Sequence, residues 1–300
     1  MANFEMTDVP MLSRSALDRA EELRSDSEAL RSGWADALVL RVNHRGQVRL
    51  DGSELVLDPA AELGPEPVSG AVFLGRRDGR HLWAIRVAAA LTGELGDLRF
   101  VGDRLADTSA GLLTTAIAIL NWHDSAGFSP VDGAATTPTI SGWSRHSTST
   151  GHEEFPRTDP AVICLVHDGA DRVLLARNGN WPERRFSVLA GFVEAGESLE
   201  ACVMREIAEE VGLVVSDVRY LGSQPWPFPR SVMIGFSAVG DPDAPIIFAD
   251  GEIAEAHWFG RDEVKAALEA GDWSADTDAR LLVPGSVSIA RGMLEAWAKA

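Results

Sequence analysis

Three hundred residues, 45% of them apolar, are enough for a sizeable core and suit two domains better than one. The formal net charge of −18 excludes a broad nonspecific nucleic-acid binder, because neutralising phosphates needs a basic surface, and it makes any anionic substrate depend on a cation. The chain has no run of about 18 apolar residues, and Met1 to Ser15 has neither a basic nor an apolar leader region, so a soluble, cytoplasmic protein away from membranes is expected. Its two cysteines, Cys164 and Cys202, lie in apolar segments and read as buried thiols outside any disulfide framework.

Leu12 to Leu30 reads as a helix, with Ser13 or Ser15 as its cap. Short extended runs follow at 37–42, 47–50, 54–57, 71–75 and 82–87, with turn signals at Asn43 to Gly46 and Asp78 to Arg80. Ala110 to Trp122 is strongly apolar and reads as a buried helix. These elements make a small mixed domain dominated by β-structure. It shows no evident site chemistry; Arg99 reads either as a phosphate contact or as a surface arginine. Phe128 to Thr150, rich in Ser, Thr, Gly and Pro, is long for a structureless connection and suggests a small irregular module. His123, His146 and His152 are scattered around it without paired cysteines, so no zinc site is expected.

From Pro160 the pattern sharpens. Ala161 to Val166 and Arg172 to Ala176 form a hairpin, and Phe186 to Ala190 is a short strand ending at Gly191. A helix follows over Leu199 to Val211, with Ser198 as N-cap and Gly212 placed for a left-handed C-cap. Further strands are expected at 214–221, 232–239 and 253–259, and helices near 262–269 and 287–299. At about 100° per residue, Val203, Ile207 and Val211 form one apolar stripe. Glu206 and Glu210 share a face beside that stripe, with Glu209 close to both. Ala201, Met204 and Ala208 on the far side suggest that it too is covered. Three such carboxylates repel, and raised pKa values, Arg205 or a hard cation must compensate. Oxygen-only ligands suit Mg²⁺ or Mn²⁺, but an acidic surface helix has the same spacing, and spacing leaves both readings open. Downstream, Pro225, Pro227 and Pro229 alternate with Trp226 and Phe228. The prolines stiffen this loop and hold its two rings in set directions, which suits a flat heterocycle, the core or a dimer contact.

Gly191 to Leu213 reads GFVEAGESLEACVMREIAEEVGL and resembles the Nudix box, in which a glycine, a glutamate and an Arg-Glu-apolar-x-Glu-Glu-x-Gly run recur at fixed spacing. Gly191, Glu197, Arg205, Glu206, Ile207, Glu209, Glu210, Gly212 and Leu213 meet every defined position. The resemblance implies an α/β/α sandwich and cleavage of a nucleoside diphosphate linked to another moiety. It makes Glu206, Glu209 and Glu210 metal ligands and the source of the catalytic base, with Arg205 and Glu197 orienting them and Gly191 and Gly212 structural. The run SQPWPFP resembles the marker of the NAD(H) pyrophosphatase branch. Phe73 to Gly75, Asn121 to His123, Phe155 to Pro160 and Glu252 to Trp258 agree with that branch, so the resemblance runs from about residue 12 to the end. It implies further metal ligands in Glu252 and the Ala190 carbonyl. It implies substrate contacts from Phe155 (across a homodimer), Phe192, Ala290 and the loop Gln224, Pro225, Trp226, Pro227, Phe228, Pro229, Arg230 and Ser231; Arg99 joins them as a candidate.

Many members of that branch carry a four-cysteine zinc ribbon. Here Ser129, Asp132, Ser147 and Thr150 stand in those places, so no structural zinc is expected and the module would be held by packing alone. The implied domains are 1–122, a degenerate zinc-ribbon-like segment at 123–156, and a Nudix domain at 157–300. The implied reaction is Mg²⁺- or Mn²⁺-dependent hydrolysis of NADH or NAD to AMP and nicotinamide mononucleotide. Removal of the NAD cap from RNA 5′ ends is the alternative, and an inactive nucleotide-binding regulator the third reading.

Overall fold

A computed structural model describes residues 4–15, 17–248 and 251–300. They fall into two compact units, one holding Arg14–Thr158 and Trp226–Arg230, the other Asp159–Pro225, Ser231–Ala300 and the described part of Met1–Ser13.

The N-terminal unit begins with helix α1 (Ser27–Ser32), capped by Asp26, whose side chain accepts from the backbone N–H of Glu28 and Ala29. Strands β1 (Leu38–Asn43), β2 (Gln47–Asp51), β3 (Glu54–Leu55), β4 (Asp58–Pro59), β5 (Val72–Arg77), β6 (Arg80–Val87) and β7 (Leu95–Asp97) follow. They form a four-stranded sheet in the order β4-β1-β6-β5 and a three-stranded sheet β3-β2-β7. Asp78 and Gly79, both with positive φ, make the tight turn joining β5 to β6. Trp34, Phe73 and Trp83 fill the centre, their rings edge-on at 5.2 and 5.3 Å. The short helix α2 (Leu98–Val101) leads to α3 (Asp107–Ser125), which buries Leu112, Leu113, Ala116, Ile117 and Leu120.

The single helix expected over 12–30 is corrected. The chain makes 3₁₀ turns at Met11–Ser13 and Glu21–Leu23, and only Ser27–Ser32 is α-helical. Ala20 is left-handed at φ 45°, and the Asp18 carboxylate accepts from its N–H while also receiving Arg76. Such side-chain bonds compete with helix formation. Ala16, within that stretch, lies outside the described residues.

The irregular module carries β8 (Thr136–Pro138), β9 (Arg145–Ser147) and β10 (Glu153–Glu154), ordered β10-β9-β8. It is held by more than packing, which corrects that expectation. Asp132 Oδ2 accepts from the hydroxyls of Ser147 and Thr150, each at 2.6 Å, and Oδ1 accepts from Ala134 N–H at 3.0 Å. Ser147 Oγ in turn receives the Ser149 and Thr150 N–H groups. Ser129 Oγ donates to the buried Glu154 at 2.9 Å. The hydroxyl donors around Asp132, Ser147 first, draw its carboxyl down from 3.8 to about 2.

The C-terminal unit is an α/β/α sandwich. Strands β11 (Asp159–His167), β12 (Arg172–Asn178), β13 (Leu189–Phe192), β14 (Val215–Trp226), β15 (Ser231–Gly240) and β16 (Ile253–Gly260) form one sheet, ordered β14-β15-β11-β12-β16 with β13 also on β11. Alternation along β11 builds both layers, because successive side chains leave a strand on opposite faces. Val162, Cys164 and Val166 meet Cys202, Val203, Ile207 and Val211 of helix α4 (Leu199–Val211). Ile163 and Leu165 meet Val264 of α5 (Arg261–Ala270) and Met293, Leu294 and Trp297 of α6 (Ile289–Lys299). Each such fully buried side chain contributes roughly 1.5–3 kcal/mol. Two strand limits differ from expectation. Strand β13 runs through Gly191, with Val162 opposite it, whereas Ser187 makes only an isolated bridge to Ala176. Strand β14 extends to Trp226, so the aromatic segment is half strand, and its turn is confined to 227–230. No helix among the described residues is long and apolar enough to cross a membrane.

Candidate active site

Helix α4 starts where Ser198 Oγ accepts the Ala201 N–H at 3.2 Å, and it ends at Gly212, left-handed at φ 73°. Between them, Arg205 gathers the acids. Its Nε and Nη2 donate to the two oxygens of Glu197, both at 2.8 Å. Its Nη1 donates to Glu206 and to Glu209, both at 2.9 Å, and Nη2 also reaches the Phe192 carbonyl at 3.1 Å. Glu197 accepts the Glu194 N–H at 3.1 Å. One guanidinium thus ties the loop 192–197 to three carboxylates, using its fixed fork of donors.

The charges settle accordingly. Arg205 and the Glu194 N–H hold the Glu197 carboxyl down at about 2, while the three acids raise the Arg205 pKa. Burial raises the Glu206 pKa against the pull of Arg205, with Glu209 and Glu197 adding to the rise. Glu210 is only 5% exposed, on the sheet side of the helix, whereas Glu209 is open to solvent. Burial of Cys202 pushes its thiol up to about 12, so it is inert beside this cluster. The expectation that the far face of α4 is covered is corrected: Met204 and Ala208 are exposed. The sheet takes the stripe of Val203, Ile207 and Val211, and among the described residues Met204 and Ala208 stay uncovered on the other side of the helix.

At Gly191 the strand lies hard against the helix's Glu206. A Cβ there would lie 1.9 Å from the Glu206 carboxyl carbon and 2.1 and 2.2 Å from its oxygens. Only hydrogen at this position lets Glu206 stand against β13. Ala190, just before it, is exposed, and Phe192, just after it, presents its ring to solvent at 60% exposure. Glu252 is exposed and receives Asn178 Nδ2 at 3.0 Å, and its carbonyl accepts the Gly179 N–H. Asn178 had no signal in the sequence; it is the last residue of an ordinary strand.

Among the described residues no three His, Cys, Asp or Glu side chains converge in a ready metal site, and Arg205 holds Glu206 and Glu209. The donor set nevertheless fits a hard divalent cation: it is all oxygen, anionic, partly buried, and backed by a glycine that leaves Glu206 room.

The remaining candidates divide. Gln224 is fully buried; its side chain accepts from Leu12 N–H at 3.2 Å and donates to the Val287 carbonyl at 2.9 Å. It braces the C-terminal unit, tying the Leu12 backbone to that of Val287. Ala290 is 1% exposed, its methyl packed in the core beside Ile289 and Met293. Ser231 opens β15 opposite Asp159, and Pro225 lies within β14. Trp226, Pro227, Phe228, Pro229 and Arg230 belong to the N-terminal unit. There the Trp226 and Phe228 rings meet edge-on at 5.0 Å, and the Arg99 guanidinium lies 5.2 Å from the Phe228 ring while chelating Asp97. Phe155 is exposed in that unit.

A NUDIX domain model matches residues 157–281, and a model of the NADH pyrophosphatase-like rudimentary NUDIX domain matches residues 24–122. The chain is 58% identical to proteins named NAD-capped RNA hydrolase NudC from Mycobacterium bovis and Mycobacterium tuberculosis, over 99% of this chain and 97% of theirs. It is 39% identical to the mitochondrial NAD(P)H pyrophosphatase NUDT13 of Mus musculus, over 70% of this chain and 60% of that protein. A NUDIX hydrolase structure from Nitrosomonas europaea matches with TM-score 0.38 and 21% identity, covering 45% of this chain and 78% of that one. The chain belongs to the Nudix hydrolase family, in the branch that joins a NUDIX domain to an NADH pyrophosphatase-like rudimentary NUDIX domain.

Proposed function

We propose that this protein hydrolyses the diphosphate bond of NADH or NAD to AMP and nicotinamide mononucleotide, with Mg²⁺ or Mn²⁺. The carrying observation is the acidic helix with every carboxylate of the box present, in a chain 58% identical end to end to NAD-capped RNA hydrolases. Glu206, Glu209 and Glu210 would hold the cation, with Glu252 and the Ala190 carbonyl completing its oxygen shell. When bound, the cation offsets diphosphate charge in this acidic protein and lowers the pKa of a coordinated water. Arg205 and Glu197 keep the glutamates in place, and Glu209 or Glu210 takes the proton as water attacks phosphorus. Phe192 offers its exposed ring to a base, and the turn Trp226 to Arg230 offers a second aromatic surface, with Arg99 beside it. A homodimer would bring Phe155 to the substrate, and sedimentation at working concentration tests that state.

The second reading is removal of the NAD cap from RNA. The name carried by the mycobacterial relatives favours it, and the bond cut is the same. The net charge of −18 leaves no broad basic track and favours short or single-stranded RNA. Product analysis with NADH, NAD and a capped transcript, with and without each metal, tests both readings. Absence of metal-dependent AMP release from NADH and NAD would refute the first; an uncleaved capped transcript would refute the second.

A further inference from the structure

The geometry points to Asn121 as a positioning residue that holds the aromatic turn Trp226 to Arg230 in its working shape; this rests on the reading of that turn as a substrate-recognition surface. Asn121, on α3, donates through Nδ2 to two carbonyls of the turn, Pro227 O at 2.9 Å and Pro229 O at 3.1 Å. These carbonyls flank Phe228. The two prolines have no N–H of their own, so neither can donate a backbone bond to hold the turn; within it Phe228 N–H reaches the Trp226 carbonyl at 2.7 Å. A clamp from outside does that work.

The clamp is itself oriented. Arg86 on β6 donates through Nη2 to Asn121 Oδ1 at 2.9 Å and to Asp124 at 2.6 Å, and through Nη1 to the Asn43 carbonyl at 3.1 Å. A guanidinium can only donate, so the atom of Asn121 facing it must be the oxygen. The amide nitrogen is then left to face the two carbonyls, which can only accept. The chain Asp124–Arg86–Asn121 therefore has one satisfied orientation, and it ends on both sides of Phe228. The ring of Phe228 is further bounded by Trp226 and by the Arg99 guanidinium. Trp226, Phe228 and Arg99 supply the surface, and Asn121 and Arg86 set its shape.

Asn121→Asp is the decisive variant. It preserves volume and strengthens the bond from Arg86, but it replaces the two donors with an oxygen facing two carbonyls. Asn121→Ala removes both functions. For NADH hydrolysis, KM should rise about ten-fold in each variant, with Asn121→Asp no better than Asn121→Ala, the loss expected when loop-holding hydrogen bonds are given up. Turnover at saturation should stay within about two-fold, because the acidic cluster is untouched. Phe228→Ala is the companion. If it raises KM while both Asn121 variants keep the parental value, the positioning role is overturned and the recognition surface stands. If Phe228→Ala leaves KM unchanged, the reading of the turn fails first. An Asn121→Asp protein with parental KM beside a defective Asn121→Ala would assign the effect to the Arg86 bond and overturn the donor role.

Discussion

Gly191→Ala puts the site to a sharp test. Its Cβ would sit 1.9 Å from the Glu206 carboxyl carbon, whereas non-bonded carbons rest at about 3.5–4.0 Å, so the carboxylate must retreat by roughly 1.5–2 Å. Glu206 is the far end of a flexible side chain and can move, but Arg205 then loses the 2.9 Å bond that aligns it. Misplacement by about 1 Å costs on the order of 100-fold in rate, near 2.7 kcal/mol on the barrier. A displaced Glu206 should therefore lower turnover of NADH by about two decades and demand more metal for half-saturation. The fold should survive: β13 accepts alanine, Arg205 keeps both bonds to Glu197, and a loss of at most ~1 kcal/mol moves the unfolding midpoint by only about 2–4 °C. Initial rates of AMP release across a Mn²⁺ titration, paired with thermal unfolding, make the measurement. Turnover within about three-fold of the parent at an unchanged midpoint would refute the claim that Gly191 exists to admit Glu206.

Glu210→Gln keeps size and burial but removes a candidate base and ligand, and it should cost at least about two decades in turnover with the fold intact. Near-normal AMP release from that variant would remove Glu210 from the chemistry. Arg205→Lys keeps a charge but not the fork that serves Glu197, Glu206 and Glu209 together; a fall of about ten-fold or more in turnover is expected from steady-state rates. The Asp132 carboxyl is depressed to about 2, so its stabilising bonds are complete above the ordinary value of 3.8 and are lost as pH falls towards 2. Asp132→Asn should thus lower the unfolding midpoint at about pH 6, with the gap to the parent closing between roughly pH 4 and pH 2. A gap of constant size across that range would show that the charge of Asp132 is not what holds the module.

Much of this protein was legible residue by residue. Helix α4 begins at Ser198 and stops at Gly212 because capping hydroxyls and left-handed glycines act within one turn. The two layers around β11 follow from strand alternation, and the acid spacing on α4 from helix geometry. These signals are local, and a single sequence carries them in full. The tertiary structure alone decided where long-range partners lie. Gln224 reads as one residue of the 224–231 loop, and the fold ties its amide to Leu12 and Val287. Met204 reads as covered until the sheet proves to lie only on the other side of α4. Asp132 reads as standing in a lost metal ligand's place until the hydroxyls of Ser147 and Thr150 close on it and that of Ser129 on Glu154. Asn121 to His123 agree with the branch in sequence, but only the fold shows Arg86 turning the Asn121 amide towards Pro227 and Pro229. In each case residue type set what the group can donate or accept, and only the folded chain set which distant backbone or side chain receives it.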